Sequence, residues 1–523
     1  MKFKDKSILI SPSDLNNFVS CKYLIINEIK YLKKLIKKNE ETIDQKLWKK
    51  YGLDHEKKYL EIFKKDYKEI VSINQDETEE IRNKKTIDAI KSGYDLIYHG
   101  FLIDDNFRGE VDFLIKTAKP SDLGDYSYVV YDTKVSRKPR PRHIYQITAY
   151  SHMLSKVQGV LPEKMYLIDG ADIFHHYKPK EILDLYLFKK SNFEKFIKNV
   201  ENEKIYPEKC NHCALCSFAD ECKKIWDDDN YINQVAKITS SQIEKLKKVK
   251  INTVEKLSKS NSDNLNVKIN NQTLKNLISQ AQLQEEKRLT GKSKYIVLDP
   301  DPGKGFYKLP EPNKGDLFFD IEGFPQEDGR GFEYLHGIYL ESKDGYDFKP
   351  FWAKDFKKEY EKKNFIDLIE FFKSHFEKYP KANLYHYNSY EKRALRQLAS
   401  LYSSDFPEGI NFVDYLLRAE KFVDLFLIVN QCVRTSEKDM SLKTIEEVLY
   451  GFKRIGDIQK AEDSVKLYDY WLTSKDEKTK QNIIDYNKED CVSTFYLREF
   501  LVEKKPESID WFSVTDETEK KYK

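Results

Sequence analysis

Two apolar, strand-like runs carry the first residues that could do chemistry: GEVDFLIK holds Asp112, and YVVYDTKV holds Asp132 and Lys134. Residues two apart in a strand share a face, so Asp132 and Lys134 point one way and Thr133 the other. Two carboxylates can hold a divalent cation that polarises a phosphate and activates water, and a lysine beside them orients that water or steadies developing charge. Downstream, Gln146 and Tyr150 in QITAY sit four apart, on one helical face. Upstream, His55 lies in the helix-like YGLDHEKKYLEIF. Asp-x-Lys alone reads as a surface ion pair, and His55 alone as an ordinary helix-surface histidine. The full series is what points to phosphodiester hydrolysis. Between Lys134 and Gln146 the segment VSRKPRPRHIY adds Arg137, Lys138, Arg140 and Arg142, cations able to grip phosphates whatever the base sequence.

Four of the seven cysteines crowd into PEKCNHCALCSFADEC as Cys210-x2-Cys213-x2-Cys216-x5-Cys222, and Cys21 lies far upstream. So dense a group reads as metal ligation. The spacing suits an iron–sulfur cluster better than one tetrahedral zinc, with zinc left open. Cys432 and Cys491 stand alone and read as core residues.

A second acidic set lies downstream. GDLFFDIEG is an apolar strand ending in Asp320-x-Glu322, two carboxylates on one face. Glu391 in NSYEKRAL and Asp490 in IIDYNKEDCV follow, and Tyr486, four before Asp490, shares its helical face. Asp424 in FVDLF reads as a structural acid.

These residues need elements to hold them. Strand-like runs at 95–98, 110–115, 128–134 and 165–168 predict an α/β core within residues 1–225. Residues 226–300 read as a helical connector, and strands at 317–321 and 335–340 followed by long helical patterns open a second α/β domain, 301–523. The connector's LKKVKINTVEKL is similar to a helix-hairpin-helix unit, with Lys250 where the hairpin glycine belongs. LTGKSK is not a P-loop, because the first glycine would fall at Glu286. Lys and Arg number 90 against 87 Asp and Glu, a formal charge of +3, so any basic surface must be local. No apolar run reaches the length of about 18 residues that a membrane span needs, and no signal peptide opens the chain; a cytoplasmic protein without a membrane partner is expected.

Residues 8–225 resemble the RecB-type branch of the PD-(D/E)XK nucleases, with Asp112, Asp132-Thr133-Lys134 and the Gln146-x3-Tyr150 helix in the family order. The resemblance implies a restriction-endonuclease-like fold in which Asp112, Asp132, His55 and the Thr133 carbonyl bind Mg²⁺ or Mn²⁺. Lys134 would be the catalytic lysine, and Gln146 and Tyr150 would position the substrate. Cys21 with a distant C-x2-C-x5-C looks like the pattern of AddB-type and CRISPR-associated RecB-like nucleases, which implies a 4Fe-4S cluster on Cys21, Cys213, Cys216 and Cys222, with Cys210 spare. Residues 314–502 resemble the DEDD exonucleases of the ribonuclease-H fold, in particular the YprB-like group. That implies metal ligands Asp320, Glu322, Glu391 and Asp490, with Tyr486 ordering the attacking water. Glu391 departs from the usual Asp. The whole order resembles RecB-like nucleases in which these modules are fused. The expectation is a DNA nuclease acting on single strands or ends, in repair or mobile-element defence, with a separate helicase as partner and the principal site in the first domain. An RNA-processing exonuclease and a binding scaffold with spent sites are the alternatives.

Overall fold

The computed structural model describes residues 1–4, 7–136, 138–324, 331–456 and 461–513. Arg137, one of the expected phosphate-binding cations, lies outside the described residues. The chain divides into two compact units, Met1–Ile225 and Trp226–Lys523.

The first unit is built on a six-stranded mixed sheet, in the order Ile70–Ser72, Leu96–Asp104, Phe107–Thr117, Ser127–Thr133, Met165–Ile168, Phe174–Tyr177. The four expected runs lie in its middle. The two edge strands went unforeseen because they are three and four residues long, and FHHY has no apolar alternation. Ser127–Thr133 and Met165–Ile168 run parallel, and the helix Pro141–Gln158 makes the crossover that parallel neighbours require. A proline in its first turn and left-handed Gly159 (φ 72°) after its last set its ends. Alternation along Ser127–Thr133 divides the core. Tyr128 and Val130 pack with Ile147, Tyr150 and Leu154 of the crossover helix, and Val129 packs on the other side with Tyr59 and Phe63 of the helix Ile43–Asp66. Asp132 continues the Tyr128 and Val130 series, so it emerges on the crossover-helix face.

The second unit opens with helices Ser240–Lys248 and Val254–Ser258 and the longer Asn271–Thr290, whose first turn is capped by the Asn270 side chain. Lys250 takes the left-handed conformation (φ 63°) between the first two, so the hairpin turn forms without its glycine. The five-stranded sheet follows, in the order Gly345–Trp352, Phe332–Ser342, Leu317–Phe324, Leu384–His386, Phe422–Asp424. Its first three strands form an antiparallel meander, and the last two run parallel to Leu317–Phe324 or to each other. Leu317, Phe319 and Ile321 face the helices Lys358–Lys378 and Tyr390–Leu401, whereas Phe318 faces Phe495, Leu497 and Phe500 of the 28-residue helix Glu477–Lys504. Asp320 and Glu322 therefore lie on the face that this long helix covers. No described helix is long and apolar enough to cross a membrane.

Candidate active sites

Asp320, Glu322 and Asp490 bring one carboxylate oxygen each within 4.8 Å of one another, the only such group of three or more ligand residues among the described residues. Two come from adjacent same-face positions of the central strand and one from the helix across it. A close approach makes this contact: a Cβ on Gly337, in the neighbouring strand, would stand 1.7 Å from Asn487 Oδ1. Glycine at 337 lets the helix settle, and Asn487 Nδ2 then donates to Asp320 Oδ2 at 2.6 Å. Burial, and then the negative charge of Asp490, push Glu322 up to about 8; the same two causes raise Asp320. Three carboxyls held this close and this dry favour either protons or a cation.

Tyr486 is buried, and its hydroxyl accepts from Lys443 Nζ at 2.7 Å. Burial and the charges of Asp490, Glu322 and Asp320 keep the phenol neutral. Arg454 reaches Asp490 Oδ1 through Nη2 at 2.7 Å while its Nε donates to buried Glu446 at 2.7 Å. Sequence reasoning missed Lys443, Glu446, Arg454 and Asn487. Only Asn487 carried a signal, being three residues before Asp490 on the same helix. Glu391 is not brought into the group of three. It is buried in the first turn of Tyr390–Leu401, with Oε2 3.3 Å from His386 Nδ1, and it acts on Asp320 only as a further negative charge. Asp424 caps the helix Leu425–Cys432, accepting from Phe426 N and Leu427 N.

The family model RNase_H_2, of the RNase_H superfamily, matches residues 317–502. This segment is an RNase H-like domain. Its fold is that of nuclease-type phosphodiester hydrolases, with Asp320 and Glu322 on its central strand and Asp490 on the helix Glu477–Lys504. No curated protein matches the chain.

Outside the RNase H-like domain, in the first unit, Asp112, Asp132 and Lys134 come together. Lys134 Nζ stands 2.5 Å from Asp132 Oδ2, and Asp112 Oδ2 accepts from Thr133 N at 2.7 Å and Thr133 Oγ1 at 2.9 Å. Asp132 Oδ1 is buried without a hydrogen-bond partner, as is His55 Nε2. Burial, and then Asp132, push Asp112 up to about 8; burial also raises Asp132. For Lys134 burial works downward, but Asp132 and Asp112 outweigh it and the ammonium is held. The helix Ile43–Asp66 contributes differently from expectation. His55 faces Asp172 and the backbone of Ile168 and Asp169, whereas the charge felt by Asp112, Asp132 and Lys134 is that of the next residue, Glu56. Glu56 Oε1 lies 2.5 Å from His99 Nε2, and His99 is a left-handed residue (φ 59°) inside the strand Leu96–Asp104. Gln146 Nε2 donates to Tyr150 Oη at 3.0 Å, and Tyr150 is buried beside both aspartates. Of the basic segment, Lys138 is exposed, and Arg140 and Arg142 are half-buried, with Arg142 Nε 3.2 Å from His143 Nε2.

Cys21 lies with the C-terminal cysteines of this unit: its thiol feels those of Cys210 and Cys216, and Cys222 feels those of Cys216, Cys21 and Cys213. Burial pushes the Cys222 thiol up to about 12. Cys210 Sγ and Cys213 Sγ are 3.8 Å apart, and the backbone N–H groups of Cys210 and Phe218 donate to Cys213 Sγ and Cys216 Sγ. Among the described residues no three of these sulfurs lie within 4.8 Å of one another, wider than the ~3.8 Å edges of a tetrahedron with Zn–S bonds of about 2.3 Å.

Proposed function

We propose that the chain is a metal-dependent nuclease with two hydrolytic sites, acting on DNA at single strands or ends. The observation that carries this reading is the convergence of Asp320, Glu322 and Asp490 at the central strand of an RNase H-like domain. These three residues would hold Mg²⁺ or Mn²⁺, which when bound supplies Lewis-acid polarisation of the scissile phosphate and activation of water. Tyr486 would orient the attacking water, and Lys443 donates to the Tyr486 hydroxyl. Arg454 and Asn487 hold Asp490 and Asp320 in place.

In the first unit Asp112 and Asp132 are the ligand pair, and Lys134 serves the water and the phosphate. The buried, unpartnered Asp132 Oδ1 beside Asp112 fits a cation. Gln146, Tyr150, Lys138, Arg140 and Arg142 line the path of the substrate strand. The gathering of Cys21 with the cysteines at the end of the unit supports a shared metal centre, which we assign as a 4Fe-4S cluster on Cys21, Cys213, Cys216 and Cys222. Its role is structural, tying the N-terminal segment to the end of the unit.

The test uses anaerobically purified protein with Mg²⁺ or Mn²⁺ on end-labelled single- and double-stranded DNA and RNA. Lys134→Ala should abolish the main DNA cleavage and leave metal binding in place. Asp320→Asn with Asp490→Asn should remove a 3′-end trimming activity. If the second pair instead removes all cleavage and RNA is the better substrate, the RNase H-like domain is the enzyme and the first unit is not. If neither variant differs from wild type, the nuclease reading falls.

A further inference from the structure

Arg454 stands against the acidic group of the second unit with one of its nitrogens unused. It follows left-handed Gly451 (φ 68°), which ends the helix Leu442–Tyr450. The long helix pins the segment: Glu489 Oε1, beside Asp490, accepts from Ile455 N at 2.7 Å and Gly456 N at 2.9 Å. Glu446 grips one edge of the guanidinium, accepting from Nε at 2.7 Å and from Nη2 at 3.0 Å. Glu446 is itself fixed, since its Oε2 also accepts from Ser493 Oγ at 2.7 Å. Nη2 donates in addition to Asp490 Oδ1 at 2.7 Å. Nη1 is buried with no hydrogen-bond partner, on a side chain 6% exposed. Burial works against the charge, but Glu446 and Asp490 outweigh it and keep the guanidinium cationic.

The planar fork decides where Nη1 aims. Nη1 and Nη2 present two parallel N–H bonds at the end of a guanidinium. One of the pair meets Asp490, so its twin on Nη1 points to the same side, where Asp320, Glu322 and Asp490 converge. Holding Asp490 alone would need a single donor, which a lysine supplies. A buried charged donor left unmade is costly unless an acceptor arrives, and no described residue provides one. An oxyanion brought to the carboxylates by another molecule would.

We propose that Arg454 is a catalytic residue of this site, its Nη1 donating to a non-bridging oxygen of the scissile phosphate. The proposal rests on the nuclease reading of the acidic group. In hydrolysis the water oxygen bonds to phosphorus as the bond to the leaving oxygen breaks; the water gives a proton to solvent and the leaving oxygen takes one up. Charge on the non-bridging oxygens shifts through the transition state, and a cation already fixed in place meets it without reorganising. Glu446 and Ser493 are then positioning residues, because they set the plane of the guanidinium. One cation thus serves both Asp490 and the reacting group.

The experiment uses the full chain carrying Lys134→Ala as parent, so that cleavage reports the RNase H-like domain. It is given Mn²⁺ and end-labelled DNA or RNA whose scissile linkage is a phosphodiester or either methylphosphonate diastereomer, in which a methyl group replaces one non-bridging oxygen. Arg454→Lys keeps a cation beside Asp490 but has no parallel pair of donors. It should lower kcat on the phosphodiester ~100-fold at saturating Mn²⁺, with the same number of Mn²⁺ bound per chain by electron paramagnetic resonance. One diastereomer should slow the parent at least tenfold more than it slows Arg454→Lys, the mark of a lost shared contact; the other should slow both alike. Melting curves check folding, and Arg454→Gln carries the same comparison if the lysine variant is unstable. A kcat restored by raising Mn²⁺, or diastereomer penalties equal in parent and variant, would make Arg454 a mere prop for Asp490 and overturn the proposal while the nuclease reading stands. A parent that binds Mn²⁺ and cleaves neither DNA nor RNA defeats the nuclease reading of this site, and the proposal with it.

Discussion

Arg454 and Asn487 occupy carboxylate oxygens of Asp490 and Asp320 at 2.7 and 2.6 Å, so the RNase H-like site is pre-assembled by cation and amide contacts. These contacts do not neutralise it, because Glu322 still sits at about 8 against an ordinary 4.5 and Asp112 in the first unit at about 8 against 3.8. Both acids are raised, so the folded chain holds protons that the unfolded chain releases above about pH 4.5. Their stabilising contribution is full below the unfolded values and is lost as pH rises through about 8. Metal-free protein should therefore melt at a lower temperature at about pH 8.5 than at about pH 5.5, and Mn²⁺ should restore more stability at the higher pH, where it need not displace protons. A Mn²⁺ shift that is the same at both values would contradict this. Lys443→Met should lower kcat ~10-fold or more with KM little changed, since the lysine aims Tyr486 without gripping substrate; a pure KM effect, measured by initial rates, would assign it to binding instead. Asp320 and Glu322 were legible because they sit two apart on a strand, and Asp490 because Tyr486 lies four before it on a helix. Lys443 and Arg454 were not, because they approach from separate segments whose only link to the site is tertiary. Glu56 shows the limit of motif reading, since it adjoins the residue that the motif singled out.

At the scale of elements, the helix Glu477–Lys504 does most to build the second site. It places Tyr486, Asn487 and Asp490 on the side that meets the central strand, and Gly337 clears its path. Gly337→Ala should displace the helix, since the added carbon has no room beside Asn487; the expected result is loss of the RNase H-like activity together with a destabilisation of ~2 kcal/mol or more in urea titration. A variant as stable and active as wild type would mean that the helix is not seated as described. The central strands were predictable from apolar runs, whereas Gly345–Trp352 was not, because its residues are mostly exposed, nor were the three-residue strands Leu384–His386 and Phe422–Asp424. The hairpin at Lys250 shows a propensity overruled by its surroundings. Ile251 N donates to Leu246 O at 3.0 Å, and buried Leu246, Ile251 and Val254 bracket the turn. Lys250→Gly should raise stability by ~1 kcal/mol, seen as a higher denaturation midpoint; no gain would mean that the lysine side chain makes a compensating contact.

Across the whole molecule, two compact units imply two melting events. Cys21→Ala should lower only the calorimetric transition of the first unit, leave that of the RNase H-like unit in place, and bleach the absorbance near 400 nm of a cysteine-bound iron–sulfur cluster. Full retention of iron in that variant would remove Cys21 from the ligand set.

The first unit is also a loop fastened at its own ends. Asn27 Nδ2 reaches Cys222 Sγ across 195 residues at 3.9 Å, Asn39 N donates to Ser217 O at 2.7 Å, and Gln45 Nε2 to Leu215 O at 3.2 Å. During synthesis at ~5–20 residues per second, the opening helices therefore wait ~10–40 s for the segment that completes them. Until then the contacts of Asn27, Asn39 and Gln45 are unmade, and the unit closes on itself only when the segment bearing Leu215, Ser217 and Cys222 has emerged.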